Sequence, residues 1–462
     1  MSDTAVHHVS ESDAFTLALE RDPGLRATIV AVAMLDRAPD WERFVDRMER
    51  ATRHAPTFRE KLVASPLRLA PPRWVPDADF DLSWHLRRVR VRRGGGVPEV
   101  LDIARTAAMA AFDHDRPLWE FTLVEGLPDD AAALILKVHH SLTDGIGGVQ
   151  IAAHVVDLSR EAPELGEMPP VPHAPRAWPF ADLAEAIGYE ARRAGDLAVG
   201  AARAVPGAAV RALSDPVGTA SGIADEVASV LRMVRPVVDT RSPIMRERGL
   251  GRHFELVDVP LADLRAAAGE HGCSLNDAFM AGIAGGLRRY HERHCACVWQ
   301  LRLTMPISIR AEGDPEGGNR ITLARFDLPV GITDPVTRMG AVHEICSAQR
   351  HEPAIEHSEA IAAMLNLLPV GVTAGMLRHI DLLASNVPGF EDPVYVAGAR
   401  LEGFYAFGAT LGSAANVTLM SYRGTCHVGI VTDTNAVPDP QAFAACMAEG
   451  FQEVIDSRDA SA

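Results

Sequence analysis

The feature that most constrains the fold of this chain is an apolar segment that ends in a polar, glycine-rich loop and then becomes helical. Residues 132–138 form a nearly continuous apolar run, which is typical of a buried strand. The loop at residues 139–145 reads His-His-Ser-Leu-Thr-Asp-Gly. Apolar residues then recur at helical spacing over residues 149–158. This order of strand, loop and helix predicts an α/β unit whose polar groups lie where the strand ends.

The two histidines of this loop indicate a proton-transfer centre. An imidazole has an unperturbed pKa of about 6.5, so it can accept a proton from a hydroxyl group at neutral pH. Because successive strand side chains point to opposite faces, only one of the two rings can face a given cavity. We predict that His140 is the base and that His139 packs and hydrogen-bonds behind it. The alternative is a pair of structural core histidines beside a tight turn.

Asp144 and Gly145 follow the histidines at fixed offsets. We expect Asp144 to fix the loop through an arginine rather than to relay charge, because a carboxylate four residues on, across a glycine-rich turn, rarely reaches the same ring. Gly145 would permit close backbone approach, although it would serve equally as a turn glycine. The four matched positions together are more specific than a histidine pair alone.

The pattern His139-His140-x-x-x-Asp144-Gly145 resembles the active-site motif of the CoA-dependent acyltransferase superfamily, which includes chloramphenicol acetyltransferase, carnitine acyltransferases and peptide-synthetase condensation domains. Further segments narrow the resemblance to the bacterial bifunctional wax ester synthase/acyl-CoA:diacylglycerol acyltransferase family. These segments occur in the order typical of that family: Pro117-Leu118-Trp119-Glu120, Asn276-Asp277, Met305 to Arg310, Gly318-Asn319-Arg320, Ser385 to Gly389, Tyr395 to Ala399 and Ser421-Tyr422. The resemblance covers roughly residues 75 to 455.

The start of the chain departs from the family pattern. The family usually opens with a Leu-Ser-Pro-x-Asp type segment, and Val9-Ser10-Glu11-Ser12-Asp13 matches it only in part. In relatives this segment helps to shape the acyl and acceptor pocket. The departure therefore leaves the reaction class intact and puts the identity of the substrate in question.

The resemblance implies an α/β (α+β) fold of two chloramphenicol-acetyltransferase-like domains with an active-site tunnel at their interface. We expect an N-terminal domain at residues 1–160, a linker and helical connection at 161–250 and a C-terminal domain at 251–462. The implied activity is transfer of a fatty acyl group from acyl-CoA, a co-substrate, to diacylglycerol or a long-chain alcohol. No other cofactor and no covalent acyl-enzyme are expected.

Two further positions are site candidates in this resemblance. It implies that Asn276 faces the centre from the second half of the chain, where its amide would donate to an oxyanion or hold the motif loop. Ser274 or Asn276 could equally cap the helix that begins there. Ser385 and Asn386 precede Pro388-Gly389, and we predict a turn at the domain junction.

Two other functions stay open at this point. One is a non-catalytic lipid or acyl-CoA binder, against which the intact His140 and Asp144 argue. The other is condensation-like transfer from a carrier-protein thioester onto an amine or a polyketide hydroxyl. The C-terminal segments favour the lipid family over this second alternative.

Composition limits the partners and the compartment. The net charge of −16 argues against nucleic acid, because neutralising phosphates requires excess Lys and Arg. The polar, acidic start lacks the features of a signal peptide, so we expect a reducing cytoplasm. The six cysteines form no disulfide framework for a chain of 462 residues. Residues 291–297 carry metal-ligand types, but no second ligand pair follows, so we predict no metal site.

Two segments bear on membrane contact. Residues 181–234 are rich in Ala and Val with spaced arginines, as in an amphipathic helix on a membrane or, the interpretation we favour, in helices packed on a domain. A weak anchor of the first kind would hold the enzyme at a membrane or lipid droplet. Residues 360–377 lack charge over about the length of a membrane span, but Asn366, Pro369 and glycines interrupt them. We predict a helix pair lining an apolar channel.

Overall fold

The computed structural model describes residues 7–65, 70–92, 94–143, 145–161, 165–171, 239–308, 321–350 and 370–458, with a few isolated positions between these ranges. The α-helices of these ranges are α1 (Glu11–Leu19), α2 (Trp41–His54), α3 (Leu82–His85), α4 (Val97–Met109), α5 (Gly145–Ala152), α6 (Leu261–Glu270), α7 (Leu275–Arg293), α8 (Pro335–Arg350), α9 (Val370–Leu377) and α10 (Pro440–Asp456). The strands are β1 (His7–His8), β2 (Thr28–Leu35), β3 (Glu60–Val63), β4 (Arg73–Pro76), β5 (Leu86–Arg90), β6 (Trp119–Glu125), β7 (Ala132–His139), β8 (Val156–Asp157), β9 (Arg252–Pro260), β10 (Leu301–Ser308), β11 (Ile321–Leu328), β12 (Leu382–Pro388), β13 (Tyr395–Val396), β14 (Ala399–Phe407), β15 (Ala415–Tyr422) and β16 (Thr425–Asp433).

The first large sheet has seven strands in the order β5-β6-β7-β2-β14-β13-β8. Its central strand β2 pairs antiparallel with β7, so that Thr28 lies opposite His139. Residues 132–135 of β7 are all at most 2% exposed, because side chains pack on both faces of the sheet. Helix α2 covers one face through Phe44 and Met48, and α4 covers the other. Burial on both faces explains why the β7 sequence is continuously apolar rather than alternating.

The second large sheet has six strands in the order β11-β10-β12-β15-β16-β9. Helices α6, α7, α8 and α10 pack with this sheet in one apolar core. Helix α7 begins with a capping box, in which the Ser274 hydroxyl accepts from the Asp277 N–H and the Asp277 carboxylate accepts from the Ser274 N–H. The two sheets are the α/β units that the sequence predicts.

Strands β13 and β14 join the first sheet although they lie in the second half of the chain. Strand β14 pairs antiparallel with β2, and Phe407 lies opposite Val30. The Phe407 ring also stacks on Phe254 of β9, with 4.2 Å between ring centroids. A division of the chain at residue 251 therefore does not separate the two sheets, because the second half of the chain completes the first sheet.

Two membrane-related segments of the sequence are described only in part. Of residues 181–234 only isolated positions are described, so neither interpretation of that segment is tested. Of the uncharged stretch at 360–377, helix α9 is described, and its Ala374 packs with Leu19 and Leu25. Within the described part of the chain, no helix combines the length and the apolar character needed to cross a bilayer.

Helices α7 and α10 approach each other closely where three glycines meet: Gly282, Gly286 and Gly450. A Cβ atom added at Gly450 would lie 2.3 Å from the Gly282 carbonyl oxygen and 2.4 Å from the Gly286 nitrogen. Both of these atoms are backbone, so a rotamer change cannot relieve the contact. The absence of side chains here fixes the distance between the two helices.

We expect Gly450→Ala to destabilise the protein by roughly 2–3 kcal/mol or more, because the added methyl group forces the two helices apart. Gly340→Ala in α8 is the matched control, since no described atom lies within 4 Å of the added Cβ. This control should be neutral or stabilising by roughly 0.5–1 kcal/mol. Urea unfolding of both variants measures the difference. Equal stabilities would contradict the close helix approach.

Candidate active site

A cavity of about 280 Å³ lies between the two large sheets. Strands β2, β7 and β14 with helices α2 and α5 form one side, and β12 and β15 form the other. Most of its lining residues are aliphatic or aromatic. The polar lining side chains are few: Thr52, His140, Thr143, Ser385, Asn386, Asn416 and Thr418. Such a cavity suits a largely apolar molecule that presents one polar group.

His140 lines this cavity just beyond the end of β7. The alternation of side chains along β7 places it on the same face as Leu136 and Val138, which also line the cavity. The His140 N–H donates to the carbonyl oxygen of Ala27 at 3.0 Å, which extends the β7–β2 ladder to the motif. The imidazole therefore stands at one end of an apolar wall, and a strand backbone holds it in place.

His139 points to the opposite face and is fully buried. The Ser141 N–H donates to its Nδ1 atom at 3.1 Å, and the Ser141 hydroxyl lies 2.7 Å from the same atom. Because Nδ1 accepts a hydrogen bond, Nε2 carries a proton. This Nε2 atom lies 3.0 Å from Oε1 of Glu20. Behind the cavity wall, Nδ1 of His139 is thus hydrogen-bonded and Nε2 faces a carboxylate.

Glu20, the C-cap residue of α1, is a site residue that the sequence did not reveal. Besides His139, its carboxylate faces Nε2 of His114 at 3.5 Å and accepts from the Ala27 N–H at 3.3 Å. Burial favours the neutral acid, but hydrogen bonds from His114 and His139 hold the pKa of Glu20 well below its ordinary value. The ionised Glu20 therefore fixes His139 directly, and it fixes His140 through Ala27.

The remainder of the motif is only partly described. Asp144 lies outside the described residues, so its expected contact with an arginine stays a prediction. Gly145 is the first residue of α5. Thr143, immediately before Asp144, is buried and lines the cavity, and Gly148 in the first turns of α5 lines it as well.

The turn predicted at Ser385 and Asn386 is wrong, and these residues lie on the cavity wall opposite His140. Ser385 and Asn386 do not form a turn but belong to β12, which runs parallel to β15. Ser385 lies opposite Thr418 in this pairing, and all three residues line the cavity. The apolar residues at 382–384 could have indicated the strand, but the following Pro388-Gly389 favoured a turn.

Asn276, the second site candidate of the sequence, is not among the residues that line this cavity. It occupies the first turn of α7, where its Nδ2 atom lies 3.8 Å from Sγ of Cys346. Ser274 is the N-cap residue of this helix. The neighbouring Asp277 serves the cap and also lies 2.9 Å from Nδ1 of His343. The position thus matches the capping alternative considered for this segment.

The metal-ligand types at residues 291–297 do not converge on one point. Nδ1 of His291 donates a hydrogen bond to the Leu287 carbonyl oxygen at 2.8 Å, and its Nε2 accepts one from the Ser242 hydroxyl at 2.8 Å. Cys295 and Cys297 are exposed. Within the described ranges, ligand types do come together at Cys273, Asp277 and His343. There the Asp277 oxygen already accepts from the N–H and the hydroxyl of Ser274, as its capping role requires.

Comparison with known proteins assigns the chain to a family. The model of the wax ester synthase/diacylglycerol acyltransferase catalytic domain matches residues 9–279, and the model of the C-terminal domain matches residues 317–454. A Mycobacterium tuberculosis H37Rv protein, provisionally named a diacylglycerol O-acyltransferase, is 39% identical over 444 residues. That alignment covers 94% of this chain and 89% of the relative.

Solved structures show the same fold. A wax ester synthase/diacylglycerol acyltransferase from Marinobacter aquaeolei VT8 matches with a TM-score of 0.62 at 23% identity, over 97% of this chain and 98% of that one. The first condensation domain of the CDA synthetase matches with a TM-score of 0.64 at 16% identity, over 98% and 96%. At these identities the structural matches establish the fold alone, and they confirm the predicted mixed α/β architecture.

The family models and the named relative define the protein as an acyl-CoA-dependent O-acyltransferase. More particularly, the chain belongs to the wax ester synthase/diacylglycerol acyltransferase family. The condensation domains are distant structural relatives only. The resemblance that the sequence motifs carry is thereby confirmed.

We expect Glu20→Gln to cost roughly 1–3 kcal/mol of stability near neutral pH, because buried N–H groups of His139 and Ala27 lose a charged acceptor. The loss should be largest between about pH 5 and 6.5. Below this window the difference shrinks, because the unfolded chain protonates Glu20 near its ordinary pKa. The folded wild type keeps Glu20 ionised until the pH falls through its lowered pKa. Above this window His114, whose pKa the Glu20 hydrogen bond raises, loses its proton as the pH rises.

Urea unfolding of both proteins at several pH values measures this difference. Glu255→Gln is the control, because Glu255 also faces a histidine, His253 at 2.8 Å, but both side chains are partly exposed. That variant should change stability by less than about 0.5 kcal/mol. A Glu20→Gln effect that is small and independent of pH would contradict the proposed network.

Proposed function

We propose that the protein transfers a fatty acyl group from acyl-CoA directly to the hydroxyl group of diacylglycerol or a long-chain alcohol, with His140 as the proton acceptor. The observation that carries this proposal is the position of His140, whose imidazole belongs to the lining of a largely apolar cavity between two sheets. Membership of the family supports the reaction class. The position of His140 supports the assignment of the base.

The proposed chemistry proceeds in one addition and one elimination. His140 takes the proton of the acceptor hydroxyl while the oxygen attacks the carbonyl carbon of the thioester. The carbonyl electrons move onto oxygen, and their return forms the ester and expels CoA as a thiolate, which receives the proton. A thioester is already an activated acyl donor, so this route requires neither a covalent acyl-enzyme nor a cofactor besides acyl-CoA. Asp144 is proposed to hold the motif loop.

The apolar part of the cavity supports a long-chain substrate. The strand pairings place Ile29 beside Val138, near His140, whereas Ala33 and Leu134 pair farther along the same two strands. Phe121 pairs with Leu136 on the adjacent strand β6 and also lines the cavity. Each buried methylene group contributes about 0.8 kcal/mol, so even a few carbons of an acyl chain are bound appreciably. We propose that hydrocarbon extends away from His140 along this wall.

We propose a cytoplasmic enzyme that works at the surface of a membrane or of lipid inclusions. The support is chemical, because diacylglycerol, long-chain alcohols and their esters partition into such phases. Of the candidate anchor at residues 181–234, only isolated positions belong to the described residues. Sedimentation with and without phospholipid vesicles tests the association.

We expect His140→Ala to lower the rate of ester formation by about 10²–10⁴-fold, the usual contribution of a positioned general base. CoA release, followed with a thiol reagent, and ester product, followed by chromatography, measure the rate. His253→Ala is the control, because that histidine lies outside the cavity and is partly exposed. Ester formation by His140→Ala within about threefold of wild type would overturn the assignment of the base.

We expect the wild-type protein to form an ester from palmitoyl-CoA with at least one acceptor in a panel of diacylglycerol, hexadecanol and shorter alcohols. The apolar lining predicts a preference for the long-chain members of this panel. Release of CoA without ester would indicate thioester hydrolysis. Turnover only with acyl-carrier-protein thioesters would support condensation-like transfer, and no turnover with any donor would support a binder.

A further inference from the structure

The cavity wall opposite His140 carries a buried amide, the side chain of Asn416. Asn416 lies on β15, is 6% exposed and lines the cavity together with Thr418 of the same strand. Its Nδ2 atom donates to the carbonyl oxygen of Ala409 at 2.8 Å, and its Oδ1 atom accepts from the Thr418 hydroxyl at 3.0 Å. The amide is therefore held at both ends.

The hydrogen bonds of Asn416 fix which end of the amide is the donor. A backbone carbonyl can only accept, so the NH₂ group must face Ala409 and the carbonyl oxygen must face Thr418. An amide nitrogen carries two N–H groups, and Ala409 takes one of them. Among the described residues the second N–H has no acceptor, although the side chain is buried. A buried N–H without a protein partner in a substrate cavity is available to an acceptor atom of the substrate.

The backbone at β14 permits this arrangement. A Cβ atom at Gly408 would lie 2.6 Å from Nδ2 of Asn416, so only glycine leaves room for the amide at this position. Gly408 and Ala409 both line the cavity. The amide of the second sheet is thus seated against the strand end of the first sheet.

The strand register places this amide at the same end of the cavity as His140. Gly408 follows Phe407, which pairs with Val30 of β2, and the neighbouring Ile29 pairs with Val138 of β7. Strand β14 lies two strands from β7, which is about 10 Å across the sheet. The reacting atoms span a similar length. From the imidazole through the acceptor hydroxyl and the thioester carbonyl to an amide N–H, with a hydrogen bond at each end, the distance is on the order of 10 Å.

We propose that Asn416 donates its second N–H to the thioester carbonyl oxygen and stabilises the oxyanion that forms on it, and that Thr418 is a positioning residue that orients the amide. The inference rests on the proposed acyl transfer. As the acceptor oxygen bonds to the carbonyl carbon, the C=O electron pair moves onto oxygen and the hydrogen bond strengthens. The pair returns when the C–S bond breaks and CoA thiolate leaves. Asn416 thereby supplies the amide function that the sequence resemblance placed on Asn276.

Steady-state kinetics with palmitoyl-CoA and the best acceptor of the panel test this assignment. We expect Asn416→Ala to lower kcat by about 10²-fold or more, the typical effect of losing one oxyanion donor. The KM for palmitoyl-CoA should change by less than about threefold, because the contact strengthens only in the transition state. Thr418→Val keeps the shape but frees the amide, so we expect a loss in kcat of roughly 10-fold, which Thr418→Ser should largely restore.

Binding of S-hexadecyl-CoA, a thioether without the carbonyl group, separates a catalytic role from a structural one. Asn416→Ala and wild type should bind it equally, since the proposed donor has nothing to contact in this ligand. Asn435→Ala is the matched control in kinetics, because that asparagine is exposed and lies outside the cavity.

A kcat for Asn416→Ala within about threefold of wild type would overturn the proposal, as would a parallel loss of thioether binding. If Asn416→Ala does not fold, Thr418→Val decides: a kcat equal to that of wild type overturns the role of the pair. These outcomes differ from failure of the proposed function itself, in which wild type forms no ester or His140→Ala retains full activity.

Discussion

The antiparallel pairing of β14 with β2 is the interaction on which the site depends. It draws a strand from the second half of the chain into the first sheet, with Phe407 opposite Val30. The next strand, β15, belongs to the second sheet, so the chain crosses from one sheet to the other within a few residues. That crossing brings the β12 and β15 wall against the face of β7 that carries His140. Because β14 pairs in the first sheet and β15 in the second, the two sheets enclose one cavity between them.

The placement of His140 depends on charge buried behind the sheet as much as on the cavity. Glu20 holds His139 and the Ala27 N–H, and the Ala27 carbonyl accepts from His140. Lys137 lies on the same face as His139, is 2% exposed and has its ammonium 3.8 Å from Glu120. Burial lowers the pKa of Lys137 although Glu120 opposes that shift. A layer of buried polar and charged groups therefore backs the strand, which restricts how the motif can move.

The local sequence pattern predicted much of the cavity wall that carries His140 and little of the opposite wall, formed by β12 and β15. The apolar run before His139 and the alternation of strand side chains gave β7 and the cavity face of His140. Glu20 was missed because its contact with His139 is made by tertiary folding and no spacing signals it. Asn276 was expected at the centre on the ground of a sequence motif. A motif gives the order of residues along the chain and does not give their positions in space. Asn416 sits in an ordinary buried strand sequence, so only the strand crossing shows where its amide lies.

The proposed acyl transfer separates charge, and each of the two cavity walls carries one of the proposed reacting groups. Positive charge develops on the imidazole as it takes a proton, and negative charge develops on the thioester oxygen. The proposed base, His140, follows a strand of the first sheet, and the proposed donor, Asn416, belongs to the second. Because the Asn416 amide bonds to Ala409, at the end of β14, its position is set by the first sheet as well as by its own strand. Separating the sheets would break that bond, so the hydrogen bond of the proposed donor also limits the distance between Asn416 and the proposed base, His140.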